Sequence, residues 1–349
     1  LRIAHCLTPE SLERALDDTP GAVGATVVSP TYFGATADVA SLAEVTHARG
    51  LPLIVDEAWG SHFPFHETLP AHALSLGADL AVSSVHKVVG SLTQSAIVHL
   101  GASERLDEHV VDRCVTLMES TSPSSLLGGS LDAARRHAAV DGAQLLGETM
   151  ASLEVVREAI RDIDGLDVFD ERLRGAPGVF DYDPLRLVID VRGTGSNGYE
   201  LASLLKHRDD VNMELAGENV LVGVFGMGED VAKQGRQLVG GLRHVIAELP
   251  DHPAGAHEDF APPPPWGELV MTPREAFFGP QEVVPAREAV GRVAAESLAA
   301  YPPGIPNVLP GERLSAETLD YVQEALDHGG SLRGPSDRRL RTVRVATER

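Results

Sequence analysis

The feature that most constrains the fold is an alternation of short apolar runs and amphipathic segments within the first hundred residues. Apolar, β-branched runs predict buried strands at 22–29, 51–56, 80–84 and 96–100. Helical spacing of apolar residues predicts helices at 8–20, 38–49 and 69–76. Strands that alternate with helices indicate an α/β fold with a mainly parallel sheet. Such sheets bind ligands at the carboxyl ends of their strands.

The rest of the chain predicts further domains. Long helices are expected at 103–118 and 128–162, strands at 184–191 and 218–225, and helices at 198–207, 229–249, 284–300 and 315–327. These elements indicate a large domain at 1–150, a smaller α/β domain at 151–250, a proline-rich linker at 251–266 and a C-terminal α+β domain at 267–349.

Charge and cysteine content limit the possible partners. The 349 residues carry a formal net charge of -22, which disfavours nucleic acid and anionic membranes as partners. The two cysteines, Cys6 and Cys114, form neither a disulfide framework nor a metal-ligand cluster, so we expect no metal site and a reducing, cytoplasmic location. No apolar run approaches the about 20 residues that span a bilayer, and no signal peptide is visible at the start.

Lysine is scarce, which singles out one candidate nucleophile. The chain contains only Lys87, Lys206 and Lys233, and the last two lie on predicted surface helices. Lys87 ends Ser83-Ser84-Val85-His86-Lys87, directly after a predicted buried strand. A partly desolvated amine there could form an imine with an aldehyde cofactor, with the Ser84 hydroxyl donating to a phosphate and His86 near the cofactor. A solvated loop lysine is the alternative interpretation.

A second group, Asp56-Glu57-Ala58-Trp59-Gly60, follows another predicted strand. A carboxylate at this strand end can pair with a protonated pyridine nitrogen, which keeps the ring cationic and able to accept electrons. Ala58 is small enough to lie against a flat ring, and Trp59 can pack nearby. A helix-capping or metal-binding acid is the alternative. The cofactor interpretation is favoured because Asp56 and Lys87 follow successive strands.

These motifs resemble the Orn/Lys/Arg decarboxylase family of pyridoxal-phosphate (PLP) enzymes, which have the aspartate aminotransferase-like fold type I. The resemblance spans nearly the whole chain in order. It rests on Ser29-Pro30-Thr31-Tyr32-Phe33-Gly34, Asp56-Glu57-Ala58-Trp59-Gly60, Ser84-Val85-His86-Lys87, Ser120-Thr121-Ser122-Pro123-Ser124, Ser130-Leu131-Asp132-Ala133-Ala134-Arg135, Thr272-Pro273-Arg274-Glu275-Ala276-Phe277-Phe278 and Tyr301-Pro302-Pro303-Gly304-Ile305-Pro306.

The resemblance implies a role for each site residue. Lys87 would be the imine lysine, Asp56 the partner of the pyridine nitrogen, and Lys87, His86 and Asp56 the catalytic group. The cofactor-binding set that it implies is Lys87, Asp56, Ala58, Trp59, Ser84, His86, Thr121, Ser122 and Ser124. The last three would reach the cofactor phosphate of a neighbouring subunit, because fold-type-I sites form at a dimer interface. Relatives carry His or Trp at the position of Trp59.

The implied function is PLP-dependent decarboxylation of Lys, Orn or Arg to an amine and CO2 by a homodimeric cytoplasmic lyase of polyamine biosynthesis. The alternatives are another fold-type-I activity, an aminotransferase or lyase, and a catalytically silent regulatory relative. The family pattern also has an upstream phosphate loop and a ring-stacking His that have no counterpart in this sequence. We therefore expect the natural protein to contain preceding residues.

Three further signals are weaker. Gly193-Thr194-Gly195-Ser196-Asn197-Gly198 matches a dinucleotide-binding pattern, but a tight strand-to-helix turn explains the same glycines. His62 and His66 have no third ligand and indicate a polar loop. Glu312 could pair with a basic substrate or cap the helix at 315.

Overall fold

The computed structural model describes residues 3–249, 262–301 and 304–347. The α-helices are α1 (Pro9–Asp17), α2 (Val39–His47), α3 (Val85–Val88), α4 (Glu108–Met118), α5 (Ser125–Arg161), α6 (Gly198–Asp209), α7 (Val231–Ala247), α8 (Pro273–Phe278) and α9 (Ala316–Asp327). The strands are β1 (Ala25–Val28), β2 (Ala35–Thr36), β3 (Leu53–Asp56), β4 (Leu80–Ser83), β5 (Ile97–Leu100), β6 (Asp167–Phe169), β7 (Asp181–Tyr182), β8 (Arg186–Asp190), β9 (Leu215–Ala216), β10 (Val220–Val224), β11 (Gln281–Pro285), β12 (Ala299–Tyr301), β13 (Ser331–Arg333) and β14 (Thr342–Ala346). Within these ranges no helix is long and apolar enough to cross a membrane.

The chain divides into two units. The larger unit comprises residues 3–190 and 222–243, and the smaller comprises 191–221 and the described residues from 244 onward. The domain limits expected from the sequence remain a prediction. Most of the expected linker at 251–266 lies outside the described residues, as do Pro302 and Pro303 of the proline-rich turn.

The main sheet of the larger unit has the strand order β1-β3-β4-β5. β1 and β4 both pair in parallel with β3, in a register that sets Asp56 opposite Val28 on one side and Val82 on the other. β5 pairs antiparallel with β4. The prediction of a mainly parallel sheet is confirmed, and the carboxyl ends of β1, β3 and β4 meet at one edge.

Two capped helices cover this sheet. Thr8 caps α1 by accepting from the Ser11 amide, with Pro9 in the first turn, and Asp38 caps α2 by accepting from Ser41. The buried cluster that joins these helices to the strands includes Leu12, Leu16, Val27, Leu42, Leu53, Val55 and Ala81. Because this packing is apolar and continuous, it fixes the edge where the strands end.

The long helix α5 provides a second wall of the larger unit. Its buried residues recur at helical spacing, at Ala134, Ala138, Gly142, Leu146, Thr149, Leu153, Val156, Arg157 and Ile160. Gly235 of α7 lies against Val156, where an added methyl carbon would come within 2.2 Å of a Val156 methyl group. The absence of a side chain at Gly235 therefore allows the two helices to approach closely.

Two predicted helices are wrong. The segment at 284–300 contains the end of β11, a short 3-10 turn at Ala286–Glu288 and the start of β12, since β11 pairs antiparallel with β14 and Gly291 adopts a φ of 80°. Buried Ala289, Ala294 and Leu298 mimic helical spacing there while packing in a β-rich core. The segment at 69–76 forms only a 3-10 turn at Ala73–Leu76, which Gly77 ends with a φ of 100°.

Candidate active site

Lys87 lies one turn beyond the end of β4. Ser84 is the N-cap of α3, and the Lys87 amide donates to the Ser84 carbonyl at 3.1 Å. Val85 and Val88 on the same turn are buried and anchor it to the core, while Lys87 itself is half-buried. This turn presents the amine at the strand end in a partly desolvated position, as a Lys nucleophile requires.

Trp59 joins the lysine motif to the aspartate motif. Lys87 Nζ lies 4.3 Å from the centroid of the Trp59 ring, within the range of a cation–π contact. Trp59 is 7% exposed, and Tyr32 packs against it edge-on with 5.1 Å between the ring centroids. Three segments that are separate in sequence, at 29–34, 56–60 and 84–87, are thereby brought together.

Asp56 and Glu57 are adjacent carboxylates with different environments. Asp56 is half-buried at the end of β3, and its Oδ1 accepts from the Ala58 amide at 3.0 Å, which fixes the carboxylate and holds Ala58 beside it. Glu57 is 2% exposed, and its oxygens contact the Ala73 amide and His72 Nε2, each at 2.9 Å. Glu57 therefore supports the fold, and Asp56 is the carboxylate at the edge of the sheet.

The turn before Lys87 carries polar groups suited to an anionic group. The hydroxyl of Ser84 does not cap α3. Ser83 Oγ is buried and, among the described residues, makes no hydrogen bond. His86 Nδ1 lies 2.8 Å from the Ser95 carbonyl, which can only accept, so Nδ1 carries a proton and neutral His86 has its lone pair on Nε2. Ser83 is a candidate that sequence reasoning missed, although its position as the last residue of an apolar strand was visible.

Thr121, Ser122 and Ser124 lie on the surface, in the connection between α4 and α5. Ser124 is the N-cap of α5, and its Oγ accepts from the Leu127 amide at 3.4 Å. Thr121 and Ser122 are exposed in the turn that precedes it. The three residues therefore occupy an accessible loop of the larger unit.

Sequence reasoning missed a fully buried cluster of ionisable side chains beside Trp59. His62, Asp183 and Arg186 each have 0% exposure. His62 Nε2 lies 3.0 Å from Asp183 Oδ1, Arg186 Nε lies 3.8 Å from Asp183 Oδ2, and Arg186 Cζ lies 4.1 Å from the Trp59 centroid. Burial acts to raise the pKa of Asp183, but the nearby His62 and Arg186 outweigh it and hold that pKa below its ordinary value. The signal available in the sequence was the placement of two charged residues, Asp183 and Arg186, just before and at the start of the apolar strand β8.

The weaker sequence signals have structural explanations within the smaller unit. A methyl carbon at Gly198 would lie 2.2 Å from the Gly217 carbonyl oxygen, so close backbone approach explains a glycine of the dinucleotide-like pattern. Glu312 does not cap α9, because Ser315 is its N-cap. The Glu312 carboxylate accepts from the Leu309 amide at 3.1 Å.

The fold defines the structural class of this protein. The structure resembles the constitutive lysine decarboxylase of Escherichia coli, with a TM-score of 0.72 at 20% identity, over 97% of this chain and 61% of that chain. It also resembles an alanine–glyoxylate aminotransferase from Nostoc sp., with a TM-score of 0.52 at 20% identity, over 69% of this chain and 66% of that one. The predicted fold class, the aspartate aminotransferase-like fold type I, is confirmed.

The sequence comparisons identify the family within this class. The major domain of the Orn/Lys/Arg decarboxylases matches residues 2–233, and the C-terminal domain of that family matches residues 263–334. The chain is 36% identical over 348 residues to an arginine decarboxylase of Bacillus subtilis, covering 100% of this chain and 71% of the relative. It is 38% identical over 354 residues to an arginine decarboxylase of Halalkalibacterium halodurans, covering 70% of that protein. The chain belongs to the Orn/Lys/Arg decarboxylase family, which confirms the resemblance and the enzyme class, a decarboxylase of basic amino acids.

Proposed function

We propose that this protein is a PLP-dependent decarboxylase that converts arginine to agmatine and CO2. The observation that carries the proposal is the half-buried Lys87, whose Nζ lies against Trp59 at the same sheet edge as Asp56. An amine and a carboxylate at adjoining ends of parallel strands are the two groups that a pyridinium aldehyde cofactor needs.

The residues present suit PLP. Lys87 would hold the cofactor covalently, and the Asp56 carboxylate would pair with the ring nitrogen. Ala58 is small and half-buried beside Asp56, which leaves room for a flat ring. Ser84, whose hydroxyl is not used in capping α3, and the buried Ser83 hydroxyl supply donors for a phosphate. When bound, PLP supplies an electron sink for the pair released as CO2 leaves.

Proton transfer would fall to His86 or Lys87. His86 is oriented by its Nδ1–H bond to the Ser95 carbonyl, so Nε2 is the nitrogen that can accept or return a proton. The Lys87 amine would be the other group able to carry this proton. Trp59, buried against Tyr32, shields this region from water on the side of the indole.

Among the three basic amino acids, we choose arginine because of the names of the relatives. The relatives that match all of this chain at 36% and 38% identity are named arginine decarboxylases. A formal net charge of -22 also favours the approach of a cationic amino acid. The product is a polyamine precursor, so we assign the activity to polyamine biosynthesis. The free thiols of Cys6 and Cys114 suit a reducing cytoplasm.

We also propose that the enzyme is a homodimer with a shared active site. α4 has no buried residue, and it exposes Val110, Leu117 and Met118, the last two by 83% and 84%. Leu126 at the start of α5 is 78% exposed. An apolar surface of this kind beside Thr121, Ser122 and Ser124 suits a second copy of the chain, whose cofactor phosphate these hydroxyls would reach.

The test compares two lysine variants. The purified protein is mixed with PLP, its visible imine absorbance is recorded, and CO2 release is measured with Arg, Lys and Orn. Lys87→Ala is expected to abolish both signals, whereas the control Lys206→Ala on α6 retains them. The proposal fails if Lys87→Ala keeps the imine absorbance, or if the wild-type product is a keto acid, which would indicate an aminotransferase. A faster release of CO2 from Lys or Orn than from Arg would overturn the assignment of the substrate.

A further inference from the structure

Arg186 is fully buried, and its guanidinium contacts the indole that also contacts Lys87. Arg186 Cζ lies 4.1 Å and Lys87 Nζ lies 4.3 Å from the centroid of the same Trp59 ring. Arg186 Nη2 also donates to the Trp59 carbonyl oxygen at 3.4 Å. The Arg186 side chain thus contacts both the indole ring and the backbone carbonyl of Trp59.

Arg186 is itself paired with Asp183, which in turn contacts Leu185 and His62. Asp183 Oδ2 lies 3.8 Å from Arg186 Nε, and Asp183 Oδ1 accepts from the Leu185 amide at 3.0 Å and contacts His62 Nε2 at the same distance. A buried guanidinium is costly to desolvate unless a carboxylate and hydrogen bonds compensate for it. The Asp183 carboxylate compensates for the charge at ion-pair distance, and the bond from Nη2 to the Trp59 carbonyl supplies a hydrogen bond, so the guanidinium has a defined position.

Gly34 provides the space for the stem of Arg186. Gly34 has a φ of 85°, and a methyl carbon on it would lie 2.9 Å from Cβ and Cγ of Arg186. The same turn places Tyr32 edge-on against Trp59. The turn at 29–34 therefore packs against both Arg186 and the indole.

We propose that Arg186 is a positioning residue, which holds the Trp59 indole in place so that the indole holds the Lys87 amine at the strand end. Asp183 pairs with the guanidinium, and His62 contacts Asp183. This inference rests on the proposed function for its catalytic consequence, since Lys87 matters to catalysis only as the cofactor-binding lysine. The placement of Trp59 by Arg186 can be measured without any cofactor.

The first experiment measures the environment of Trp59 directly. The chain has two tryptophans, so Trp266→Phe leaves Trp59 as the only indole emitter. In that background, Arg186→Met is expected to shift the Trp59 emission to longer wavelength and to increase its quenching by acrylamide. The matched control is Arg157→Met, because Arg157 is also buried, at 3% exposure, and donates to the Pro184 and Arg186 carbonyls. Its emission should stay at the parental wavelength even if the protein is less stable.

The second experiment measures Lys87 in the complete protein. After addition of PLP, the rate at which the imine absorbance appears should fall by about tenfold in Arg186→Met, because a displaced amine attacks less efficiently. Arg186→Lys keeps the charge near Asp183 but loses the flat contact with the ring, so it should fold and still show the slower rate.

Two results would overturn the positioning role. One is an unchanged Trp59 emission in both Arg186 variants, and the other is an equal shift in Arg157→Met. If Arg186→Met does not fold, Arg186→Lys decides through the same two readouts. A wild-type protein that forms no imine at Lys87 would instead contradict the proposed function, while the cofactor-free emission would still decide the role of Arg186.

Discussion

At the scale of single residues, two adjacent carboxylates at the end of β3 have different environments. Asp56 is half-buried with one oxygen fixed by the Ala58 amide, whereas Glu57 is buried, accepts from the Ala73 amide and lies at ion-pair distance from His72. Asp56 is the last residue of β3 and Glu57 follows it directly, and successive side chains of an extended segment point to opposite faces, so only one of the two can face a ligand at this edge. The pair therefore offers a matched comparison between the proposed catalytic carboxylate, Asp56, and a carboxylate that supports the fold, Glu57.

We expect Asp56→Asn to fold normally and to lose decarboxylation by about a hundredfold or more, because a neutral amide cannot keep the cofactor ring nitrogen charged. Glu57→Gln should show the reverse pattern, with a lower midpoint of thermal unfolding and nearly normal activity per folded molecule. Steady-state CO2 release and circular dichroism separate the two. Equal loss of activity in both variants at equal folded fraction would contradict the assignment of roles.

Asp79 is a buried carboxylate whose task is stability. Burial acts to raise its pKa, but bonds from Ser103, the Leu53 amide, His47 and Arg105 outweigh this and lower the pKa from 3.8 to about 2. The folded-state pKa is depressed, so the stabilisation is present above pH 3.8 and is lost as the pH falls towards 2.

The shift corresponds to about 2 kcal/mol, so Asp79→Asn should lower the free energy of unfolding by about that amount at neutral pH. The difference between variant and wild type should shrink as the pH falls below 4. Urea unfolding at neutral pH and at the lowest pH where the wild type is folded measures both values. A difference that stays constant down to that pH would show that the charge of Asp79 is not the cause.

At the scale of elements, sequence periodicity located the strands of the main sheet to within a few residues. β1, β3 and β4 are each short apolar runs, β3 ends at Asp56, and the segment that follows β4 carries the turn with Lys87. Periodicity failed at 284–300, where antiparallel pairing of β11 with β14 overrides the spacing of Ala289, Ala294 and Leu298. Long-range pairing of this kind is not encoded in local spacing.

The candidate site was predictable only in part, because some of its contacts join residues that are far apart in the sequence. Asp56 and Lys87 follow predicted strands, so a parallel sheet brings their segments together. The contact of Arg186 with Trp59 joins residues 127 positions apart, and no local pattern indicates it. His62 was expected in a polar loop but is fully buried, because Asp183 pairs with it from a distant segment.

The close approach of α5 and α7 gives a prediction at this scale. Gly235→Ala should lower the free energy of unfolding by about 1–3 kcal/mol, because the new methyl carbon would overlap the stiff, branched Val156 side chain. Gly240→Ala, in the same helix and with open space around it, should instead raise stability by about 0.5–1 kcal/mol through helix propensity. Urea unfolding of the two variants measures both, and a stabilising effect at Gly235 would contradict the packing.

At the scale of the whole molecule, the exposed apolar residues of α4 matter most. In an isolated chain the apolar side chains of Leu117 and Met118 would be in water, because each is more than four-fifths exposed. Leu117→Glu is expected to convert a dimer into a monomer in light scattering, because a charge there would be desolvated in an apolar interface. Val23→Glu, at an equally exposed loop position, is the control and should leave the mass unchanged.

The shared active site can be tested by mixing two inactive variants. One carries Lys87→Ala, and the other carries Thr121→Ala together with Ser122→Ala. If the 119–124 loop serves the neighbouring subunit, a mixed dimer has one site with an intact lysine and an intact loop, so unfolding and refolding the two variants together should restore about a quarter of the wild-type CO2 release. If the loop serves its own subunit, both sites of the mixed dimer are defective and no activity returns. Restored activity therefore requires that Thr121 and Ser122 act across a dimer interface, and its absence from a verified mixed dimer would place these hydroxyls outside the partner's active site.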